Sequence, residues 1–218
     1  MKTSTCLLAL AFASAFAAAA PAAAMHVTAM QATTPATAVP SAPKLDAAMR
    51  GLWHGHIEHT RAYAMAVHAH DTAKAKAAAD AVVANAKQIA NAVGGFYGKP
   101  AGARMLDLLA GHWGGVKALT DARAANDSAA ENKAMATLQS NATDIAKFLS
   151  GANPNLPESA VHDLMATHVA HHSTQIEQIM SGDMKGEQTT WAAMQAHMDT
   201  LSDALAGAIA KQFPDKAS

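Results

Sequence analysis

Apolar residues along most of this chain recur every three or four positions, the spacing that gathers them on one face of an α-helix. One such stripe runs through Leu45, Met49, Leu52, Trp53, His56, Thr60, Tyr63 and Val67. A second runs through Met105, Leu108, Leu109, His112, Val116 and Leu119, and a third through Val161, Leu164, Met165, His168, His172, Ile176 and Ile179. Each is followed by another stripe: Val82, Ile89 and Val93; Leu138, Ile145 and Leu149; Met194, Leu201 and Leu205. Turn residues fall between them, with Gly-Lys-Pro at 98–100 and Asn-Pro-Asn-Leu-Pro at 153–157. The pattern predicts an all-α fold: a six-helix bundle built from three antiparallel helical hairpins. Gly94-Gly95 reads as a helix stop.

The three hairpins read as copies of one unit. His56, His112 and His168 are 56 residues apart, as are Asp71, Asp127 and Asp183, and Leu52, Leu108 and Leu164. Asn85 and Asn141 keep the same interval, and His197 takes the third place. The aspartates sit at the turn inside each copy, where they are expected to cap the second helix by accepting backbone N–H bonds.

The interval has a geometric consequence. Each of the three histidines lies 15 residues before its aspartate, and Asn85, Asn141 and His197 lie 14 residues after. At ~1.5 Å per residue these are climbs of ~22 and ~21 Å from the turn. Antiparallel helices then bring His56, Asn85, His112, Asn141, His168 and His197 to one height, a polar layer inside an apolar protein.

The ends read differently. Lys2, the apolar run from Leu7 to Ala20 and the small residues after it make residues 1–24 an export signal. Residues 25–43 are an Ala/Thr/Pro-rich linker, 44–214 the helical repeat domain and 215–218 a tail. The apolar run is shorter than the ~20 residues of a membrane span. A periplasmic or secreted protein without a membrane span follows. Cleavage removes Cys6, the one cysteine, and with it any disulfide or thiolate metal site.

Charge narrows the partners. Sixteen basic residues face seventeen acidic ones, with no Lys/Arg stripe, so nucleic acid is not an expected partner. Histidine is the unusual residue, with twelve copies. Neutral imidazole ligates Zn, Cu, Ni or Fe. The expected ligands are therefore His56, His112 and His168, with His197 closing the set and His172 adding a pair at i, i+4 with His168. Asn85 and Asn141 are expected to orient the rings through their second nitrogens. A closed ring of hydrogen bonds among these groups would satisfy them without metal. His54, His59, His70 and His171 lie off the stripe and are expected in solvent, while Met165, Met194 and Met198 are expected in the core. No His-Glu-x-x-His, Glu-x-x-His, Gly-x-Ser-x-Gly or phosphate loop occurs.

The segments LWHGHIEHTR (52–61), NAKQIANAVGGFYG (85–98), LLAGHW (108–113), NATDIAKFLSGANPNLP (141–157) and IAKQFP (209–214) carry a resemblance. Together they resemble a family of small bacterial helical proteins with L-W-x-x-H-x-x-x-T-R, F-Y-G, N-P and Q-F-P motifs over roughly residues 45–214. Members often bear labels such as glycosyltransferase or acetylglutamate kinase. Neither activity has a readable signature in this chain. The resemblance matches His56, Thr60, Arg61, Asn85, Asn91, His112, Asn141 and His168, with His197 less regular, and implies no activity.

The leading functional expectation is an exported protein that binds a transition metal through inward-facing histidines, for sensing, buffering or delivery. A helical scaffold or partner-binding module with a hydrogen-bonded His/Asn layer is the alternative. A hydrolase using metal-bound water at His56, His112 and His168 is a further one. Haem held by two core histidines is disfavoured by the shortage of aromatic residues.

Overall fold

The computed structural model describes residues 42–217. The expected export signal and all but the end of the expected linker lie outside the described residues. The described chain is all-α: α1 (Pro43–His68), α2 (Thr72–Tyr97), α3 (Lys99–Ala124), α4 (Ser128–Ala152), α5 (Glu158–Ser181), α6 (Met184–Gln212) and the short turn α7 (Pro214–Ala217). No strand occurs among the described residues, and no helix there is long and apolar enough to cross a membrane.

The three short turns are built alike. His70, Asn126 and Gly182 each adopt positive φ, at 54°, 54° and 78°. The following N–H reaches back five residues, from Asp71 to Ala66, Asp127 to Ala122 and Asp183 to Gln178. That pattern satisfies carbonyls left over at a helix end. The same aspartates then accept from the backbone N–H of Lys74, Ala130 and Gly186 at 2.9–3.0 Å, the expected caps. One residue thus ends one helix and starts the next.

At the opposite end, Gly98 takes φ +91° between α2 and α3, with Pro100 in the first turn of α3. This glycine, and not Gly94-Gly95, is the helix stop. Gly94 lies inside α2, where it serves close packing: a Cβ on Gly102 would sit 2.8 Å from the Ala90 carbonyl and 3.0 Å from Gly94 Cα.

Each long helix packs on its neighbours in sequence, and α6 closes onto α1. The odd-numbered helices α1, α3 and α5 also touch one another, so they form the inner set. Ile57, Leu119 and Ile176, one from each, are buried to within 1%. Burial of such side chains contributes roughly 1.5–3 kcal/mol each. Met165, Met194 and Met198 are core residues, as expected. Residues 215–217, read as tail, fold into α7 and bury Ala217 against Ala42 and Ala210.

Candidate metal centre

The inner helices carry the histidines. α1 supplies His56, α3 His112, and α5 both His168 and, one turn later, His172. None is more than 2% exposed. One ligand nitrogen from each lies within 4.8 Å of all the others. His168 Nε2 and His172 Nε2 are 3.0 Å apart, so one ring donates a hydrogen bond to the other.

Ring spacing tests the geometry. Metal–nitrogen distances of ~2.0–2.1 Å, plus about 1.1 Å from nitrogen to ring centre, put two tetrahedrally placed ring centres about 5.2 Å apart. A square plane puts its opposite centres about 6.4 Å apart on the same distances. The six centroid separations here run from 4.3 to 5.9 Å, so none reaches the square-planar diagonal. The rings surround a point as a tetrahedron does. Closure needs the widest nitrogen pairs to draw in to about 3.3 Å, the edge of a tetrahedron of that bond length.

Electrostatics keeps the rings neutral. Burial pushes His56 down to about 3, with the nearby His112 and His59 adding to the shift. Burial likewise lowers His112 to about 4, partly offset by the Asn141 side chain. His168 and His172 are held well below the ordinary histidine value by burial first and by the neighbouring rings second. Neutral imidazole is the form that binds metal.

Hydrogen bonding within the cluster is sparse. Both ring nitrogens of His56 and His112, and Nδ1 of His168 and His172, are buried without a partner. A hydrogen-bonded ring would have paired them. A buried polar group left this way costs ~1–3 kcal/mol.

The asparagines do not close such a ring. Asn85 Nδ2 donates to the Leu52 carbonyl at 2.9 Å, and Asn141 Nδ2 to the Leu108 carbonyl at 3.0 Å. In the third place His197 Nε2 meets the Leu164 carbonyl at 3.0 Å. All three span 33 residues and tie the second helix of a pair to the first. Glycines make the room: a Cβ on Gly55 or Gly111 would lie 3.1 Å from the respective Asn Nδ2. Thr167 holds the corresponding position in α5.

The polar layer therefore divides. His56, His112 and His168 converge with His172, whereas His197 stands outside the group of four. Height along the helix brought all of them to one level, but the direction of each side chain separated them. Of the histidines expected in solvent, only His70 is exposed. His54 is half-buried beside Asp199 at 2.9 Å. His59 is half-buried, as is His171, whose Nδ1 is buried without a partner. These three lie on faces that neighbouring helices partly cover.

A second polar cluster escaped sequence reasoning. Glu187 is fully buried on α6, where Arg61 of α1 holds it at 2.6 and 2.7 Å and Gln175 of α5 donates at 2.9 Å. Arg61 lowers the Glu187 carboxyl below its usual range. The available signal was that Glu187 lies 56 residues after Glu131. At the turn end, a cavity of 560 Å³ is lined by His70, Arg123, Asn126, Glu131 and Glu177, and by none of the four central histidines.

No protein-family model, curated protein or solved structure matches the chain.

Proposed function

We propose that His56, His112, His168 and His172 form a transition-metal site, carried by three copies of one helical hairpin in an exported protein. The observation that carries this reading is the tetrahedral set of buried imidazoles whose ring nitrogens are mostly unpartnered. Metal coordination engages one nitrogen of each ring and so removes part of that cost, and the tetrahedral spacing favours zinc over square-planar Cu(II) or Ni(II). The His168–His172 hydrogen bond is no obstacle. Because neither Nδ1 has a partner, moving the proton from Nε2 to Nδ1 frees both Nε2 atoms at no loss of another bond.

Four ligands complete a tetrahedral sphere, which leaves no position for a reactive water and argues against a hydrolase. Rings packed 4.3–5.9 Å apart leave no slot for a haem plane. The four ligands carry no negative charge, so a divalent ion keeps its charge among them, which limits affinity. Reversible holding fits buffering or delivery better than a permanent structural role. The carboxamide oxygens of Asn85 and Asn141 are also unpartnered. Asn141 is placed to accept from His112 once metal fixes that ring's tautomer, consistent with its influence on His112.

Export rests on residues 1–24 and is read out by mass spectrometry, which should find the mature chain beginning near residue 21 or 25. The metal reading is tested with Co(II) added to tag-free protein at pH 7. The expected result is one ion per chain with the intense visible bands of a tetrahedral centre. A protein that binds no Co(II), or shows only weak octahedral bands, would contradict it.

A further inference from the structure

The third helix pair carries two more histidines that the four-ligand site leaves unused. His171 and His197 have ring centres 5.3 Å apart, close to the about 5.2 Å spacing of two imidazoles on one tetrahedral ion. His197 in turn lies 6.4 Å from His168, a member of the central four. Both outer rings are half-buried, whereas the central four are closed to solvent. The imidazoles thus descend stepwise from the surface of the α5–α6 pair into the core.

The free nitrogens suit ligand exchange. His197 Nε2 donates to the Leu164 carbonyl, which leaves its Nδ1 with an open lone pair. His171 Nδ1 is buried and unpartnered, so it is free on the inner side of its ring. Neither ring has a carboxylate hydrogen-bonded to it, so nothing competes for these nitrogens.

Departure from the 56-residue interval points the same way. The positions matching His197 are Asn85 and Asn141, and those matching His172 are Thr60 and Val116. His171 matches His59 and Gly115. Asparagine satisfies the same backbone carbonyl, as Asn85 and Asn141 do. The tie across the pair therefore does not require a histidine at 197. In the third pair His171, His197 and His168 form a line of rings from the surface to the cluster.

We propose that His171 and His197 are an entry site that captures a divalent metal ion at the surface and passes it to His168. This rests on the central four being a metal site. Transfer is ligand exchange: the ion forms a bond to a His168 ring nitrogen as it leaves His197 Nδ1, with no change in oxidation state.

Stopped-flow absorbance with Co(II) alone tests it. Two variants block the route. One is His171→Ala. The other is His197→Asn combined with Thr167→Gly, which installs the residues that the first two pairs use and so keeps the tie to the Leu164 carbonyl. Both should load at least tenfold more slowly than the wild type, yet reach the same final spectrum and the same Kd. His59→Ala, the matching position in the first pair, should load at the wild-type rate. Wild-type rates in both blocked variants would overturn the entry site while leaving the central site standing, as would slowing by His59→Ala alone. A changed final spectrum in the His197 variant would overturn it too, since His197 would then be a permanent ligand. If the wild type itself takes up no Co(II), the central site and the entry site fail together.

Discussion

The pairs α1–α2 and α5–α6 share a frame and differ in chemistry. In both, an aspartate caps the second helix, and a side chain on that helix reaches the carbonyl 33 residues earlier. One turn above the shared central histidine they part. Thr60 folds back onto the His56 carbonyl at 2.7 Å, while His172 turns to His168 at 3.0 Å. Asn85 reaches Leu52 in the first pair, and His197 reaches Leu164 in the third. The frame comes from what the two pairs share, and the chemistry from where they differ.

The largest expected effect is acid unfolding of the metal-free protein. The four central histidines have folded values below 6.5, about 3 for His56 and about 4 for His112. Between those values and 6.5 the unfolded chain binds more protons, so stability is full above pH 6.5 and falls as pH drops through that window. The slope reaches about 1.4 kcal/mol per pH unit for each buried histidine. Two pH units then exceed much of a typical domain stability of ~5–15 kcal/mol. Circular dichroism should show unfolding between about pH 6 and 4. His172→Val, which copies Val116 of the second pair, should move that midpoint to lower pH. An unmoved midpoint would show that His172 is not buried as a neutral ring.

The next effect separates two matching glutamates. Arg61→Ala strands the fully buried Glu187 and should cost about 3 kcal/mol in urea unfolding, the low end for such a pair because Arg61 is 30% exposed. Glu131→Ala removes a 31% exposed partner of Arg123 and should cost under about 1 kcal/mol. Equal costs would break the distinction between the pairs.

Metal comes third. At a hundredfold excess over Kd, zinc should stabilise by about 2.7 kcal/mol, which is roughly 5–10 °C in Tm for a domain of this size. His172→Val should abolish that rise, and His54→Ala should leave it nearly intact. The smallest effect is Asn141→Ala: about 1 kcal/mol of stability from the lost tie to Leu108, and roughly tenfold weaker zinc binding through a less well oriented His112 ring. Calorimetric titration separates the two.

Much of this was legible in the chain, for a physical reason. Helical rise is uniform, so equal intervals around each aspartate placed His56, His112 and His168 at one height, and the i, i+4 spacing put His172 beside His168. Rise says nothing about rotation around the helix axis. Height alone groups His197 with the ligands, whereas its Nε2 bonds the Leu164 carbonyl, and height does not show that the amides of Asn85 and Asn141 donate to backbone. Glu187 was missed because a glutamate in a helix's first turn ordinarily faces solvent. Only its tertiary partners Arg61 and Gln175 make its burial tolerable.

The central claim is that four neutral, buried imidazoles take up one metal ion, and zinc calorimetry at pH 7 tests it most directly. The tag-free wild type and His172→Val are each titrated in two buffers that differ in heat of ionisation. Ligands already neutral release no proton, so the wild type should bind one zinc per chain with the same heat in both buffers, and His172→Val should lose that binding. Equal binding by both proteins, or a heat that changes with the buffer as surface histidines would cause, would contradict the account.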